Sequence, residues 1–293
     1  MVVRGLRIKL FNRIYRITFG KVIGFTILVL FAAFAALPLI YVVSTSLKPL
    51  DELFLFPPRF LVQNPTLKNF KDLFDALDGL SVPFSRYIFN SLFVAIVVVI
   101  FTILISSMAA YGLTKHKVFG GKLLFTLVLS GLMVSPFVTR IPSFMIVNGL
   151  GMVDSYFALI IPNIAVAYNM FLVKQFTEQI PDAFLEAARI DGANEMKIFF
   201  TIVVPMLKPV IATLALLSFV SNWNDYFTPL IYIQNEALKT LPVVMQNLSS
   251  NNSIARAGAT GAATFISIVP TILFYTIMQR NVVDSMAFSG IKE

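Results

Sequence analysis

The stretch PDAFLEAARIDGANEMKIFFTIVVP, residues 181–205, is a charged interruption in an otherwise oily chain. Pro181 suits the first position of a helix, Asp182 and Glu186 lie toward the positive end of its dipole, and Ala187 and Ala188 are strong helix formers. Gly192 supplies the left-handed residue that ends such a helix. Asn194 then caps a second helix running into Phe199 and Val203. The stretch therefore predicts helix, glycine turn, helix. Phe184, Ala187 and Ala188 share a face of mostly small side chains, which lets the backbone seat deep in a groove. Taken alone, the same residues also describe an ordinary surface loop between two membrane spans.

The rest of the chain decides the setting. Of 293 residues, 57% are hydrophobic and 13% charged, and the mean hydropathy is +0.82. Soluble domains carry about 25% charge, and runs of about 20 apolar residues mark bilayer spans. The composition is that of an all-α integral membrane protein. With no cysteine, disulfides, thiolate metal sites and cysteine nucleophiles are excluded.

Arg4, Arg7, Lys9, Arg13, Arg16 and Lys21 make residues 1–21 a basic segment, and an uncharged run over 22–47 follows. That run is longer than the apolar core of a signal peptide, about 7–15 residues, and lacks a clean cleavage site, so it predicts a retained first span, kinked at Pro38. Residues 48–86 form a long polar loop holding a short helix over 67–77, opened by Asn64-Pro65-Thr66. Further spans are predicted over 87–114, 123–139, 155–173, 209–233 and 257–279, giving one transmembrane domain over 22–280 and a tail over 281–293. Residues 140–154 read as an interfacial or re-entrant connection and 234–256 as a polar loop. His116, the single histidine, sits among lysines and reads as a solvated loop residue.

Six spans place both termini on one side. With the N-terminus inside, 15 of the Lys and Arg residues fall inside and 8 outside, so the positive-inside rule predicts cytoplasmic termini and a cytoplasmic 181–205 loop. Membrane orientation thus accounts for the net charge of +8 without a nucleic-acid partner. Phosphate binding in a Walker loop needs G-x-x-x-x-G-K-[ST]; at Gly120-Gly121-Lys122, Leu123 follows the lysine and His116 stands where the first glycine belongs. HExxH and GxSxG patterns are absent too. The chain is expected to be no enzyme, with no cofactor or metal of its own.

An ionisable residue within a span faces a cavity or a partner. Asp225 lies in Asn222-Trp223-Asn224-Asp225-Tyr226, a polar and aromatic patch whose side-chain types stack on sugar faces and bond hydroxyls. The patch is a candidate substrate path; an interfacial belt with helix-packing polar groups is the alternative.

Glu186-Ala187-Ala188, Asp191-Gly192-Ala193, Phe199, Ile202 and Pro205 fall, without a gap, at the spacing of the EAA loop of ABC importer permeases. From about Val22 onward the chain resembles the carbohydrate, maltose-permease-like branch of that family. Asn90-Ser91 opens the second span and Ala109-Ala110-Tyr111-Gly112-Leu113 closes it. Ile141-Pro142 and Gly149, Ser221-Asn222-Trp223-Asn224, and Pro229-Leu230 add to the likeness. The tail Ser289-Gly290-Ile291-Lys292-Glu293 resembles the family's short end, although Asp284-Ser285 replaces a glycine-containing turn and Glu293 a common final glycine.

The resemblance implies a multi-pass subunit of a bacterial or archaeal cytoplasmic membrane, importing a sugar in a binding-protein-dependent system. Its 181–205 loop would be the coupling helix, docking in a separate ATPase through Glu186, Ala187, Ala188, Asp191, Gly192, Ala193, Phe199 and Pro205. Expected partners are a second permease, two cytoplasmic ATPase subunits holding ATP and Mg²⁺, and an extracytoplasmic sugar-binding protein that meets the 234–256 loop. Among an oligosaccharide, a monosaccharide and glycerol phosphate, the near-absence of cations in the spans points to a neutral sugar, an oligosaccharide first. An acidic sugar polymer stays open, since the partner subunit could supply the charge. A secondary transporter would show repeated halves or several buried charges, and Asp225 is the one clear buried carboxylate. A membrane enzyme would need a cluster of His, Cys or carboxylates that the chain lacks.

Overall fold

The computed structural model describes residues 6–10, 13–17, 19–78, 82–116, 118–250 and 257–290. Antiparallel strands β1 (Leu6–Leu10) and β2 (Arg13–Ile17) form a hairpin in the basic segment, with Leu6 opposite Ile17. Helices follow: α1 (Phe19–Leu47), α2 (Leu50–Leu53), α3 (Lys68–Asp78), α4 (Phe84–Lys115), α5 (Gly121–Met133), α6 (Pro136–Gly149), α7 (Tyr156–Ile164) and α8 (Ala167–Thr177). Then come α9 (Asp182–Ile190), α10 (Glu195–Ile198), a π-helical turn over Phe199–Val203, α11 (Val204–Met206), α12 (Lys208–Trp223) and α13 (Phe227–Tyr232). A 3₁₀ turn over Glu236–Leu238, α14 (Leu241–Ser250) and α15 (Ala257–Gly290) complete the order. Apart from the hairpin, the fold is helical.

Among the described residues, α1, α4 and the Ala257–Val283 part of α15 are single helices long and apolar enough to cross a membrane. The other predicted spans are broken. The apolar run over 123–139 is not one helix, because α5 stops at Met133 and α6 leaves at 110° to it. A residue before proline is held extended, and Ser135 (ψ 133°) accepts from the Phe137 N–H as the cap of α6, with Pro136 in its first turn. The 140–154 segment, read as an interfacial or re-entrant connection, is largely helical, α6 running to Gly149. The 155–173 run bends by 42° between α7 and α8, where the Thr102 hydroxyl donates to the Ile164 carbonyl at 3.2 Å. The 209–233 run breaks after Trp223, and Asp225 Oδ1 accepts from the Thr228 N–H at the start of α13.

Two other expectations are corrected. The 234–256 segment is no open polar loop: α14 buries Leu241, Val243, Val244 and Leu248. Its polar letters lie on the opposite side of a helix that tolerates Pro242 in its first turn. The helix over the predicted last span, 257–279, runs on through most of the expected tail to Gly290, since no proline or glycine intervenes after Pro270. Ile291, Lys292 and Glu293 of the expected tail, with Arg4, Lys117 and residues 251–256, lie outside the described residues.

Two compact units divide the chain, Met1–Leu73 with Ser253–Phe265 and Phe74–Asn252 with Ile266–Glu293. In the first, the buried Glu52 carboxylate accepts from the backbone N–H groups of Gln63 and Asn64, at 3.0 and 2.8 Å. These bonds, the Gln63 one foremost, hold its carboxyl below the usual carboxylate range and gather the 48–66 loop around one side chain. Buried Asn69 donates to the Ser46 and Lys48 carbonyls, and its Oδ1 would stand 2.1 Å from a Cβ on Gly258, so only glycine fits there.

The second unit is built on α4. Tyr87, Ser91, Val94, Val98, Thr102 and Tyr111 are among its buried residues, recurring at helical spacing. α12, α8 and α7 pack along this stripe. At one end Val94 and Val98 join Leu159, Tyr232 and Ile233 in an apolar cluster. At the other, Tyr111 joins Leu185, Ile198, Phe199, Val203 and Leu207.

Candidate functional site

The 181–205 stretch folds as helix, glycine turn, helix. Pro181 is the N-cap of α9, one position earlier than expected, and Asp182 lies in the first turn. Gly192 takes a φ of +78°. Its N–H donates to the Arg189 carbonyl and that of Ala193 to the Ala188 carbonyl, at 3.0 and 2.9 Å, the paired bonds that close a helix over a left-handed residue. Asn194 Oδ1 then accepts from the Lys197 N–H at 2.8 Å, capping α10.

Leu185 is the single residue of α9 classed as buried, and full burial of a leucine side chain stabilises by about 1.5–3 kcal/mol. It seats α9 on the cluster around Tyr111. Ala188 turns partly toward that cluster rather than sharing a free face with Phe184 and Ala187, which both stay exposed. Glu186 is exposed and forms no hydrogen bond or ion pair among the described residues. Phe184 is exposed by 55%, Ile190 by 87% and Met196 by 55%. These apolar side chains stay exposed on the same loop as the unpaired Glu186. Ile190 and Met196 did not stand out in the sequence, because residue type alone does not separate an exposed apolar side chain from a buried one. Asp191 caps α9 and is exposed, and Ala193 is half-buried. Phe199 is buried against Tyr111, with ring centroids 5.7 Å apart. Pro205 is exposed just before the 79° bend into α12.

Contacts to the end of α4 fix this loop. Lys115 Nζ donates to the Ile180 carbonyl and to Asp182 Oδ1, at 2.5 and 2.8 Å. Tyr111 Oη donates to Glu195 Oε2 at 2.6 Å, and Arg189 Nε donates to Oε1 at 2.9 Å. The Arg189 bond first, then the Tyr111 bond, holds the Glu195 carboxyl below its usual range. His116 is not a free loop residue: its Nε2 lies 3.3 Å from Glu195 Oε2 and its ring meets Tyr111 edge-on. Sequence proximity to Lys115 and Lys117 concealed this partner, 79 positions away.

The second candidate patch divides on inspection. Trp223 is 1% exposed; its ring stacks on Phe219, which stacks on Phe274, and its Nε1 donates to the Ser267 carbonyl at 2.8 Å. It is a packing residue of this chain and presents no free face. Asn222 and Asn224 each donate back to a carbonyl of α12, and Asp225 caps α13. Tyr226 packs on Phe227, whose ring also lies 4.0 Å from the Arg140 guanidinium carbon. Among the described residues no cluster of His, Asp and Glu could hold a metal ion.

Comparison with known proteins defines the class. Residues 102–287 match the family model of the binding-protein-dependent transport system inner membrane component, and the chain belongs to that family. It is 30% identical over 284 residues to the polygalacturonan/rhamnogalacturonan transport system permease protein YtcP of Bacillus subtilis, covering 90% of this chain and 95% of that one. It is 31% identical over 280 residues to the arabinooligosaccharides transport system permease protein AraQ of Halalkalibacterium halodurans, covering 92% and 95%. In fold it is similar to a chain of a bacterial ABC transporter involved in the import of the acidic polysaccharide alginate, with a TM-score of 0.77, 24% identity and coverage of 89% and 95%. The protein is a membrane-embedded, non-catalytic component of a binding-protein-dependent transport system.

Proposed function

We propose that this chain forms half of the translocation path of an ABC importer for a saccharide, and that α9 and α10 are the element through which ATP hydrolysis elsewhere drives it. The observation that carries this is the loop itself. A capped helix–turn–helix exposes an unpaired Glu186 beside Phe184, Ile190 and Met196, while Leu185, Lys115 and Tyr111 fasten it to the membrane helices. Such a surface needs a partner, and the absence of a phosphate-binding loop in the chain assigns ATP and Mg²⁺ to that partner. Two cytoplasmic ATPase subunits, a second permease and an extracytoplasmic sugar-binding protein complete the assembly. Taking α5 with α6 and α7 with α8 as one span each, beside α1, α4, α12 and α15, gives six, with the termini and the 181–205 loop in the cytoplasm.

Polygalacturonan and arabinooligosaccharide relatives favour an oligosaccharide cargo. Asn222, Asn224, Asp225 and Tyr226 remain the proposed path residues, with Trp223 behind them as a support. Closure of the ATPase pair on ATP would draw two coupling loops together and shift the spans to the outward-facing state, because that state binds ATP more tightly.

Co-purification from native membranes in gentle detergent tests the assignment. Wild type is expected to bring down a P-loop ATPase and a second permease; Glu186→Lys should lose the ATPase and keep the permease. Recovery of this chain alone, active in proteoliposomes without ATP, would replace the importer with a secondary transporter.

A further inference from the structure

Both ends of α4 are fastened by side-chain hydrogen bonds to segments that the proposed function places on opposite faces of the membrane. At one end Asn90, fully buried, donates to the Ala237 and Lys239 carbonyls at 3.0 and 2.8 Å and accepts from Tyr156 Oη at 2.7 Å. Beside it, Ser91 Oγ accepts from the Leu241 N–H at 2.8 Å, at the first residue of α14. At the other end Tyr111 and Lys115 hold Glu195, Ile180 and Asp182 of the coupling loop. Between the two clasps α4 has no proline and no break, whereas three of the other apolar runs are bent. A helix rises about 1.5 Å per residue, so Asn90 and Tyr111 lie about 32 Å apart along the axis. A buried amide with three satisfied bonds resists displacement, since losing a partner leaves a buried polar group unpaired.

We infer that α4 is the strut that carries displacement of the coupling loop to the 236–250 segment, with Asn90 and Tyr111 as positioning residues at its two ends. A shift imposed on Glu195 moves Tyr111 and, through an unkinked helix, moves Asn90 and the carbonyls it holds. The surface offered to the binding protein would thus be set by the nucleotide state of the ATPase. The inference rests on the coupling-loop assignment above, and the two can fail separately.

The chain has no cysteine, so a single introduced thiol can be labelled on this chain, before assembly, at one site with an environment-sensitive fluorophore. Met196→Cys labels the exposed coupling loop and Gln246→Cys an exposed position of α14. In the assembled transporter, reconstituted with its ATPase, adding Mg²⁺ and a non-hydrolysable ATP analogue should change both signals. Tyr111→Phe keeps the ring in the core and removes the hydroxyl. It should leave the Met196→Cys response in place and lower the Gln246→Cys amplitude by about fivefold or more. Asn90→Ala, at the other end, should do the same. A Gln246→Cys response that survives both substitutions would overturn the strut. A Met196→Cys probe blind to nucleotide would overturn the coupling-loop assignment beneath it. Combining the two substitutions should add little to either alone, because each cuts one transmission line; additive losses would contradict it.

Discussion

Gly192, at a φ of +78°, sets the angle between α9 and α10. The left-handed conformation costs a residue with a Cβ about 1–2 kcal/mol, with β-branched side chains worst and asparagine among the best tolerated. Gly192→Val should therefore uncouple sugar-stimulated ATP hydrolysis in the assembled transporter while the chain still inserts, and Gly192→Asn should restore much of it. Normal stimulation in the valine variant would refute the turn's role. Glu195 gives a pH signature. Its carboxyl is held low by Arg189 and Tyr111, so its stabilising contribution is present above the unfolded-state value of about 4.3 and is lost as pH falls through the folded value. Thermal unfolding of wild type and Glu195→Gln should accordingly differ at neutral pH, and the difference should shrink only as pH falls below the ordinary glutamate value and through the lower folded one.

At the scale of elements, what the sequence revealed and what it hid have physical reasons. The uncharged run behind α4 was legible because a straight apolar helix needs only length and composition. The bends were not, since hydropathy measures how oily a run is and says nothing of its direction. Ser135-Pro136 carried the signal for the sharpest bend, as a cap followed by a first-turn proline. α14 was hidden because its apolar residues, Leu241, Val243, Val244 and Leu248, are flanked by the polar runs 234–236 and 249–253, which make the whole segment read as a loop. Trp223 shows the opposite failure: residue type pointed to a sugar-stacking ring, and tertiary packing placed it inside, under the Ser267 carbonyl. Trp223→Ala should consequently destabilise the fold by about 3–5 kcal/mol, lowering the yield of folded chain before any transport effect is read. Trp223→Phe should recover most of the packing. Because it is the one tryptophan, its emission should be that of a dry, buried indole, and a solvent-exposed spectrum would reopen the substrate-contact role.

For the whole molecule, the proposed orientation rests on charge asymmetry. Fifteen basic residues against eight favour the 181–205 loop inside, the side on which the proposed ATPase partner would meet the exposed Glu186, Ile190 and Met196. The helix–turn–helix of the proposed coupling loop could be read from residues 181–205, because a helix start, a glycine turn and an asparagine cap are local devices. Its attachment to Tyr111, Lys115 and His116 could not, because contacts between distant positions leave no mark on either segment.

The most direct measurement places a photo-crosslinker on Ala187→Cys, on the exposed side of α9, in membrane vesicles of known sidedness. Inside-out vesicles should label from the bulk phase and yield, on illumination, one adduct with a P-loop ATPase that Glu186→Lys abolishes. Labelling only in right-side-out vesicles, or adducts with lipid alone, would contradict the assignment of this loop as the cytoplasmic coupling element.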